Sequence, residues 1–367
     1  MATMRLRRAL VAPACLLAAA ALVVGCGDDS DSTTSSGSGS AESRPAPPKS
    51  AFPSAAGKSL AEVLESEMVD GPSELVVSPA ALAFYTGDSR YPFGVFRRDG
   101  SQVTDAEVAL YFARMPKKQG AASTAGKEPS AAPESADRET AAAALNQPAV
   151  GPFPARVESL QTQPAFRART TTDDPDAAQA VYVADFEFPS DGEWRIAALV
   201  RDGDEVTSSL VGSTVVGKFK GVPRPGEQAP KIHTPTAEDV GGDLSQITTR
   251  IPPDTQNQVD YADVLGKEPI ILLFATPQFC TSRVCGPVVD IAEQVKERYG
   301  DKAEFIHMEI FNENDPKKDV RPQVRAFRLP NEPWLFAIDR QGKVQADLEG
   351  AFGVDELTRV VEEVTAE

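Results

Sequence analysis

The chain has 367 residues, with 37 Lys and Arg against 54 Asp and Glu, for a formal charge of −17. That length accommodates two domains with separate cores, and the acidic excess argues against nucleic acid or a general anionic membrane surface as a partner. With four cysteines and two histidines in all, a disulfide-dense scaffold and a His-rich metal cluster are excluded.

The N-terminus carries Arg5, Arg7 and Arg8, then an uncharged stretch from Ala9 to Val24, then Val23-Val24-Gly25-Cys26 and an abrupt rise in polarity. This is the layout of a secretory signal, too short and too Ala-rich for a secure permanent span. The last four residues resemble a bacterial lipobox, which implies cleavage of residues 1–25 and lipidation of Cys26. Loss of the three arginines then takes the formal charge from −17 to −20. Acyl chains hold such a terminus at the membrane through buried methylenes, each worth about 0.8 kcal/mol. The expected location is the extracytoplasmic face of the cell membrane.

Residues 26–58 are rich in Ser, Gly, Ala and Pro and read as a disordered tether, because they bury too little apolar area to repay ordering. Residues 59–220 read as a β-sandwich. Glu74–Val77, Tyr91–Phe96, Ala180–Phe186 and Trp194–Val200 are strand-like, and Val108–Ala113 fits a strand or, from the capping-box spacing of Thr104 and Glu107, a short helix. Asp99-Gly100, Asp191-Gly192 and Asp202-Gly203 supply turns. A disordered insertion is expected at about 116–152, within which Glu139–Leu145 has the makings of a short helix. Tyr182, Phe186, Gly192 and Trp194 resemble positions of bacterial immunoglobulin-like modules, some of them associated with copper handling. Copper itself is disfavoured, since this region holds no histidine and only Met68 and Met115 as thioethers. The sandwich is expected to serve structure or partner docking.

A Gly- and Pro-containing linker follows at 221–232, and a second domain at 233–367. Its leading section, His233–Asp260, carries three prolines and is expected to wrap the surface. Pro269–Ala275 is a continuous apolar run of central-strand type. Val288–Tyr299 places Val288, Ile291, Ala292 and Val295 on one helical face. Ala303–Ile310 is a strand, Val324–Phe327 a short helical piece, Trp334–Asp339 and Lys343–Asp347 a hairpin, and Val354–Val364 a closing helix. This order requires an α/β domain with a mixed central sheet covered on both faces.

Phe274-Ala275-Thr276, Cys280, Cys285, Pro333 and Ile338–Gly342 together resemble the thioredoxin-like superfamily, particularly exported bacterial thiol-disulfide oxidoreductases, over about residues 228–365. With the lipobox, the whole resembles an actinobacterial-type exported lipoprotein. The resemblance implies reactive cysteines at Cys280 and Cys285 and a cis-proline at Pro333 facing them. Four residues separate the cysteines, where the family usually has two. In a regular helix this spacing sets the Cα atoms about 8.7 Å apart and roughly 140° around the axis. A disulfide needs less than about 7 Å, so Cys280 and Cys285 can bond only if the segment is looped or locally unwound.

Pro277 before the pair and Gly286-Pro287 after it permit that geometry, with Pro287 in the first helical turn. Unpaired helix-start amides and Arg283 are expected to stabilise a thiolate. Cys280 is then the attacking sulfur and Cys285 the resolving one, Pro333 holds the facing loop, and Trp334, Pro277 and Arg283 line the substrate side. Exported protein thiols or disulfides are the expected partners, together with a redox-recharging partner. No cofactor and no metal are required.

Two alternatives stand beside this reading. Thr276–Gly286 resembles the active segment of atypical two-cysteine peroxiredoxins, but Pro277 occupies the position of their Thr or Ser. A non-enzymatic interaction scaffold would keep Cys280–Cys285 as a structural staple. A copper-delivery role is weaker, because His307 lies within an apolar strand and reads as an oriented core or edge histidine. Asp290, Glu293 and Glu309 are candidate acid-base helpers, with a solvated face as the simpler expectation.

Overall fold

The computed structural model describes residues 41–65, 75–116, 142–203, 205–280 and 282–366. The expected signal segment, Cys26, residues 27–40 of the expected tether and residues 117–141 of the expected insertion lie outside them.

Two distinct β regions are present. The first contains eight strands: β1 (Leu75–Pro79), β2 (Gly87–Arg97), β3 (Glu107–Arg114), β4 (Ala149–Pro154), β5 (Arg156–Ser159), β6 (Ala180–Phe188), β7 (Gly192–Asp202) and β8 (Glu205–Val216). They form two antiparallel sheets, ordered β1-β2-β6-β5 and β4-β3-β7-β8. Alternation decides the inner faces. Tyr91, Phe93 and Val95 of β2 and Tyr182, Ala184, Phe186 and Phe188 of β6 meet Leu110 and Phe112 of β3 and Trp194, Ile196 and Ala198 of β7. The Val108–Ala113 run is strand, because both of its faces are buried between layers. The end of the expected insertion, residues 149–152, belongs to β4, which pairs with β3.

The later half of the expected tether is folded. Residues 41–58 pack on the fold: Arg44 and Val157 exchange backbone hydrogen bonds of 2.8 and 2.9 Å. Phe52 and Ala55 join Leu60, Val63 and Leu64 over the outer face of the β4-β3-β7-β8 sheet, where Ala109, Tyr111 and Leu199 are buried. A few apolar side chains inside a Ser- and Pro-rich stretch suffice, since a sheet face already awaits them.

The second region is a mixed sheet of β9 (Ile270–Phe274), β10 (Glu304–Met308), β11 (Trp334–Ile338) and β12 (Val344–Glu349), ordered β10-β9-β11-β12. β10 runs parallel to β9, while β11 is antiparallel to both β9 and β12. The helices Cys285–Tyr299 and Val354–Thr365 cover one face. Val222, Ala229, Ile232, Tyr261 and Phe327 cover the other. The 221–232 segment is therefore fixed in place, with Ala229 N–H donating to Gly342 O at 2.9 Å and Val344 N–H to Glu227 O at 2.9 Å.

The two regions share a core. Ser40–Glu367 forms one compact unit, because Leu160, Val181 and Val183 on the outer side of the β1-β2-β6-β5 sheet enter the same apolar cluster as Val288, Ile291, Leu357 and Val361 of the two long helices. A buried ion cluster pins this seam. Arg90 reaches Glu356 at 2.7 Å and the carbonyl of Glu349 at 2.9 Å, and Arg156 reaches Glu356 at 2.6 Å. Burial raises the Glu356 carboxyl, but Arg90 and Arg156 outweigh it and hold it below its ordinary value. Nearby Glu349 accepts the N–H groups of Leu82 and Ala83 at 2.6 and 2.9 Å.

Breaking one partner of a buried pair costs about 3–5 kcal/mol. Arg90→Ala is expected at the low end, about 3 kcal/mol, because Arg156 stays on Glu356. Urea unfolding followed by tryptophan fluorescence checks this, as Trp194 and Trp334 report one from each region. A single transition that shifts as a whole is expected; two separate transitions would show that the shared core does not couple the regions.

Candidate functional site

Strand β9 ends at Phe274, and Ala275, Thr276 and Pro277 remain buried before the chain surfaces at Gln278. The helix does not start until Cys285, so Cys280 stands in the loop and Cys285 at the first helical position. Arg283 adopts a φ of 61°, a left-handed conformation that turns the chain back on itself. The two Cα atoms consequently lie 5.8 Å apart and the sulfurs are bonded. Residues 278–280 and 282–284 are non-helical, as a bond across the five-residue separation requires.

The two sulfurs have unequal surroundings. Cys285 is 0% exposed, packed with Ala275, Val288 and Leu335, whereas Cys280 is part-exposed. The Cys285 N–H donates to Cys280 Sγ at 3.2 Å, and Ser282 Oγ lies 3.2 Å from the same sulfur. Val284 makes no side-chain cap to this 15-residue helix, and the amide of its first residue, Cys285, is the one that meets the sulfur. Such donors and the positive end of the helix favour the charged form of a thiol.

The other expected site residues divide. The Glu332–Pro333 peptide is cis and Pro333 is buried. Trp334 pairs with Phe274 in the β9–β11 ladder, so Pro333 occupies the end of the sheet from which the cysteine loop emerges. Pro277 lines a 260 Å³ cleft with Cys280, Gly286 and Pro287. Arg283 also lines it, but its guanidinium turns to Asp176 at 3.4 Å and no contact to a sulfur is formed among the described residues. Trp334 does not join the site. It is 0% exposed on the sheet face opposite Cys285, stacked on Phe336 with centroids 5.7 Å apart and its indole N–H on Asn331 Oδ1 at 2.9 Å.

A polar layer beneath the loop comes from the segment expected only to wrap the surface. Thr249 donates its N–H and O–H to buried Glu309 at 2.7 and 2.5 Å, and its Oγ1 accepts the Gln278 N–H at 3.2 Å. His307 is fully buried, with Nδ1 2.9 Å from Asp254 Oδ2 and Nε2 3.1 Å from the carbonyl of Ala275. Burial opposes the charge on His307, but Asp254 overrides it and lifts the imidazole to about 9. Asp254 falls to about 2, because the His307 charge and the hydrogen bonds of His307 and Thr248 outweigh burial. Both ring nitrogens therefore donate, one to the carboxylate and one to the base of the cysteine loop. His307 is thus an oriented, fully buried histidine on the edge strand of its sheet, within the core-or-edge expectation for its apolar strand.

The acid-base candidates on the helix are engaged elsewhere. Asp290 is 1% exposed, paired with Arg250 at 2.9 Å and accepting the Ala168 N–H at 3.1 Å. Glu293 accepts from Thr255 N–H and Gln256 Nε2 at 3.1 Å. The solvated face expected for Asp290 is absent, because the β5–β6 connection lies across it. Thr248, Thr249 and Asp254 were not recognisable from sequence, because they sit in a polar, Pro-containing stretch without a period.

No family model and no curated protein matches the chain. Among solved structures, it is similar to a putative thiol:disulfide interchange protein DsbE from Chlorobium tepidum, with 18% identity over 39% of this chain and 99% of that one and a TM-score of 0.28. It is also similar to a thiol:disulfide interchange protein of the thioredoxin family from Chlorobium tepidum TLS, with 19% identity over 39% of this chain and 97% of that one and a TM-score of 0.27.

Proposed function

We propose that the chain is a membrane-anchored, extracytoplasmic thiol-disulfide oxidoreductase acting on protein dithiols or disulfides. In this reading residues 233–367 are a thioredoxin-like domain, the eight-stranded region is an immunoglobulin-like sandwich, and Cys26 carries the lipid that holds the chain at the membrane. The observation that carries it is the asymmetric pair: a part-exposed Cys280 with a helix-start N–H on its sulfur, bonded to a fully buried Cys285.

The chemistry follows from that asymmetry. In the reduced protein, the Cys280 thiolate attacks one sulfur of a partner disulfide, forming a mixed disulfide as the partner's S–S bond breaks and one partner thiolate leaves. Cys285 then attacks Cys280 Sγ, closing the intramolecular disulfide and releasing the second partner thiol. Two electrons pass to the partner, and run in reverse the same steps oxidise a partner dithiol. Buried Cys285 resolves well because no outside disulfide competes for it. Pro333 bounds the sheet end where the partner's chain approaches, and a separate redox partner resets the pair.

Thiol titration with and without mild reductant, followed by turbidimetric insulin reduction, tests the reading. Two additional thiols in the folded protein and accelerated insulin precipitation are expected. A pair that resists reduction until the fold is lost would instead mark a structural staple.

A further inference from the structure

We propose that the β5–β6 connection of the first region is the substrate-selecting wall of the cysteine cleft, and that Asp173 and Asp174 in it favour partners carrying positive charge beside the reacting sulfur. The inference rests on the exchange reading above and adds the partner's chemistry to it.

The connection is fastened to the second region along its length. Gln163 N–H donates to Gln294 Oε1 at 2.7 Å, Arg250 Nη2 to Phe166 O at 2.6 Å, and Arg169 N–H to Ile251 O at 2.7 Å. At its far end Ala178 N–H donates to the carbonyl of Arg283, inside the cysteine loop, at 3.0 Å. Between these ties the wall presses on the helix start. A Cβ on Gly286 would sit 2.9 Å from Thr171 Oγ1, so the close approach depends on glycine there.

The cleft so formed has Thr170, Asp173, Asp174 and Ala177 on one side and Pro277, Cys280 and Pro287 on the other. A part-exposed sulfur at its side is the feature that meets a partner; the carboxylates decide which partner. Arg283 is the cationic residue in the lining, and Asp176 answers it. Asp173 and Asp174 are exposed and have no ion-pair partner among the described residues, which leaves the cleft locally negative. Charges so placed act mainly on encounter rate and partner choice, and salt screens them.

Small disulfides of opposite charge isolate this effect. With Cys15→Ser and Cys26→Ser in the full-length chain, reduced protein is mixed with cystamine, whose two arms are ammonium, or with dithiodiglycolate, whose two arms are carboxylate. In each reaction Cys280 displaces one arm as a thiolate, and Cys285 displaces the other as it closes the pair, so one disulfide is consumed and two thiols appear. Each rate is divided by that of the same disulfide with β-mercaptoethanol, which removes the leaving-group difference. A normalised preference for cystamine of about fivefold or more at low ionic strength is expected, falling below about twofold in Asp173→Asn/Asp174→Asn and in 1 M salt. Equal normalised rates, or a preference unchanged in the Asn variant, would overturn the wall while leaving exchange intact. Failure of Cys280 to react with either disulfide would remove exchange itself, and the inference with it.

Discussion

Cys280→Ser is expected to reduce insulin-disulfide reduction to the rate without protein, because the hydroxyl is neither ionised near neutral pH nor able to form a disulfide. Cys285→Ser is expected to behave differently. The part-exposed Cys280 still attacks, but no buried thiol releases the adduct, so one partner molecule per protein accumulates as a mixed disulfide. Intact-mass measurement before and after reductant reads this directly. The contrast follows from the unequal burial of the two sulfurs and from the Cys285 amide, which the Ser variant keeps, 3.2 Å from Cys280 Sγ. A Cys285→Ser protein that traps nothing, with Cys280 alkylated freely, would contradict the assignment of Cys280 as the attacking sulfur.

The second large effect concerns the ion pair under the loop. Asp254→Asn leaves His307 buried without its counter-charge and is expected to cost about 3–5 kcal/mol of stability. The pH dependence carries a distinct signature. His307 is raised from 6.5 to about 9 in the fold, so its contribution is fully present below pH 6.5 and is lost as pH rises through 9. Asp254 is lowered from 3.8 to about 2, so its contribution is present above pH 3.8 and is lost as pH falls through 2. Between pH 6.5 and 9 the wild type should lose about 1.4 kcal/mol per pH unit more than His307→Gln. Urea midpoints across that range measure the difference; parallel curves would mean that the imidazole is not held protonated. Because His307 Nε2 meets the carbonyl of Ala275, the Asn variant should also loosen the base of the cysteine loop.

How much of this was legible in the sequence depends on whether a feature repeats. The unbroken apolar run Pro269–Ala275 and the helical-period face Val288–Val295 each bury several residues locally, and they stand as β9 and the helix after it. The cysteine loop was legible for a different reason: a five-residue separation is incompatible with a disulfide in a regular helix, and Pro277 and Gly286-Pro287 bracket the segment that departs from it. β8 was not recognised, because as the edge strand beside β7 it alternates Ser, Thr and Gly with few buried apolar residues. The seam left no local trace. Arg90 and Glu356 are 266 residues apart, and each looks like an ordinary surface charge. Val181 and Val183 gave the one available hint, since the unbroken apolar run Ala180–Ala184 needs burial on both faces of β6. Residues 41–58 and 221–232 read as tether and linker because Gly, Ser and Pro composition measures local chain preference, while Phe52, Val222 and Ile232 are placed by surfaces far away in sequence.

The account stands on a pair that opens and closes within the intact fold. Equilibrating the protein in buffers of reduced and oxidised dithiothreitol, then alkylating and weighing it, measures this directly. The expected result is a reversible two-thiol transition with Cys280 and Cys285 labelled while tryptophan fluorescence stays native. Labelling that appears only after fluorescence reports unfolding would contradict it.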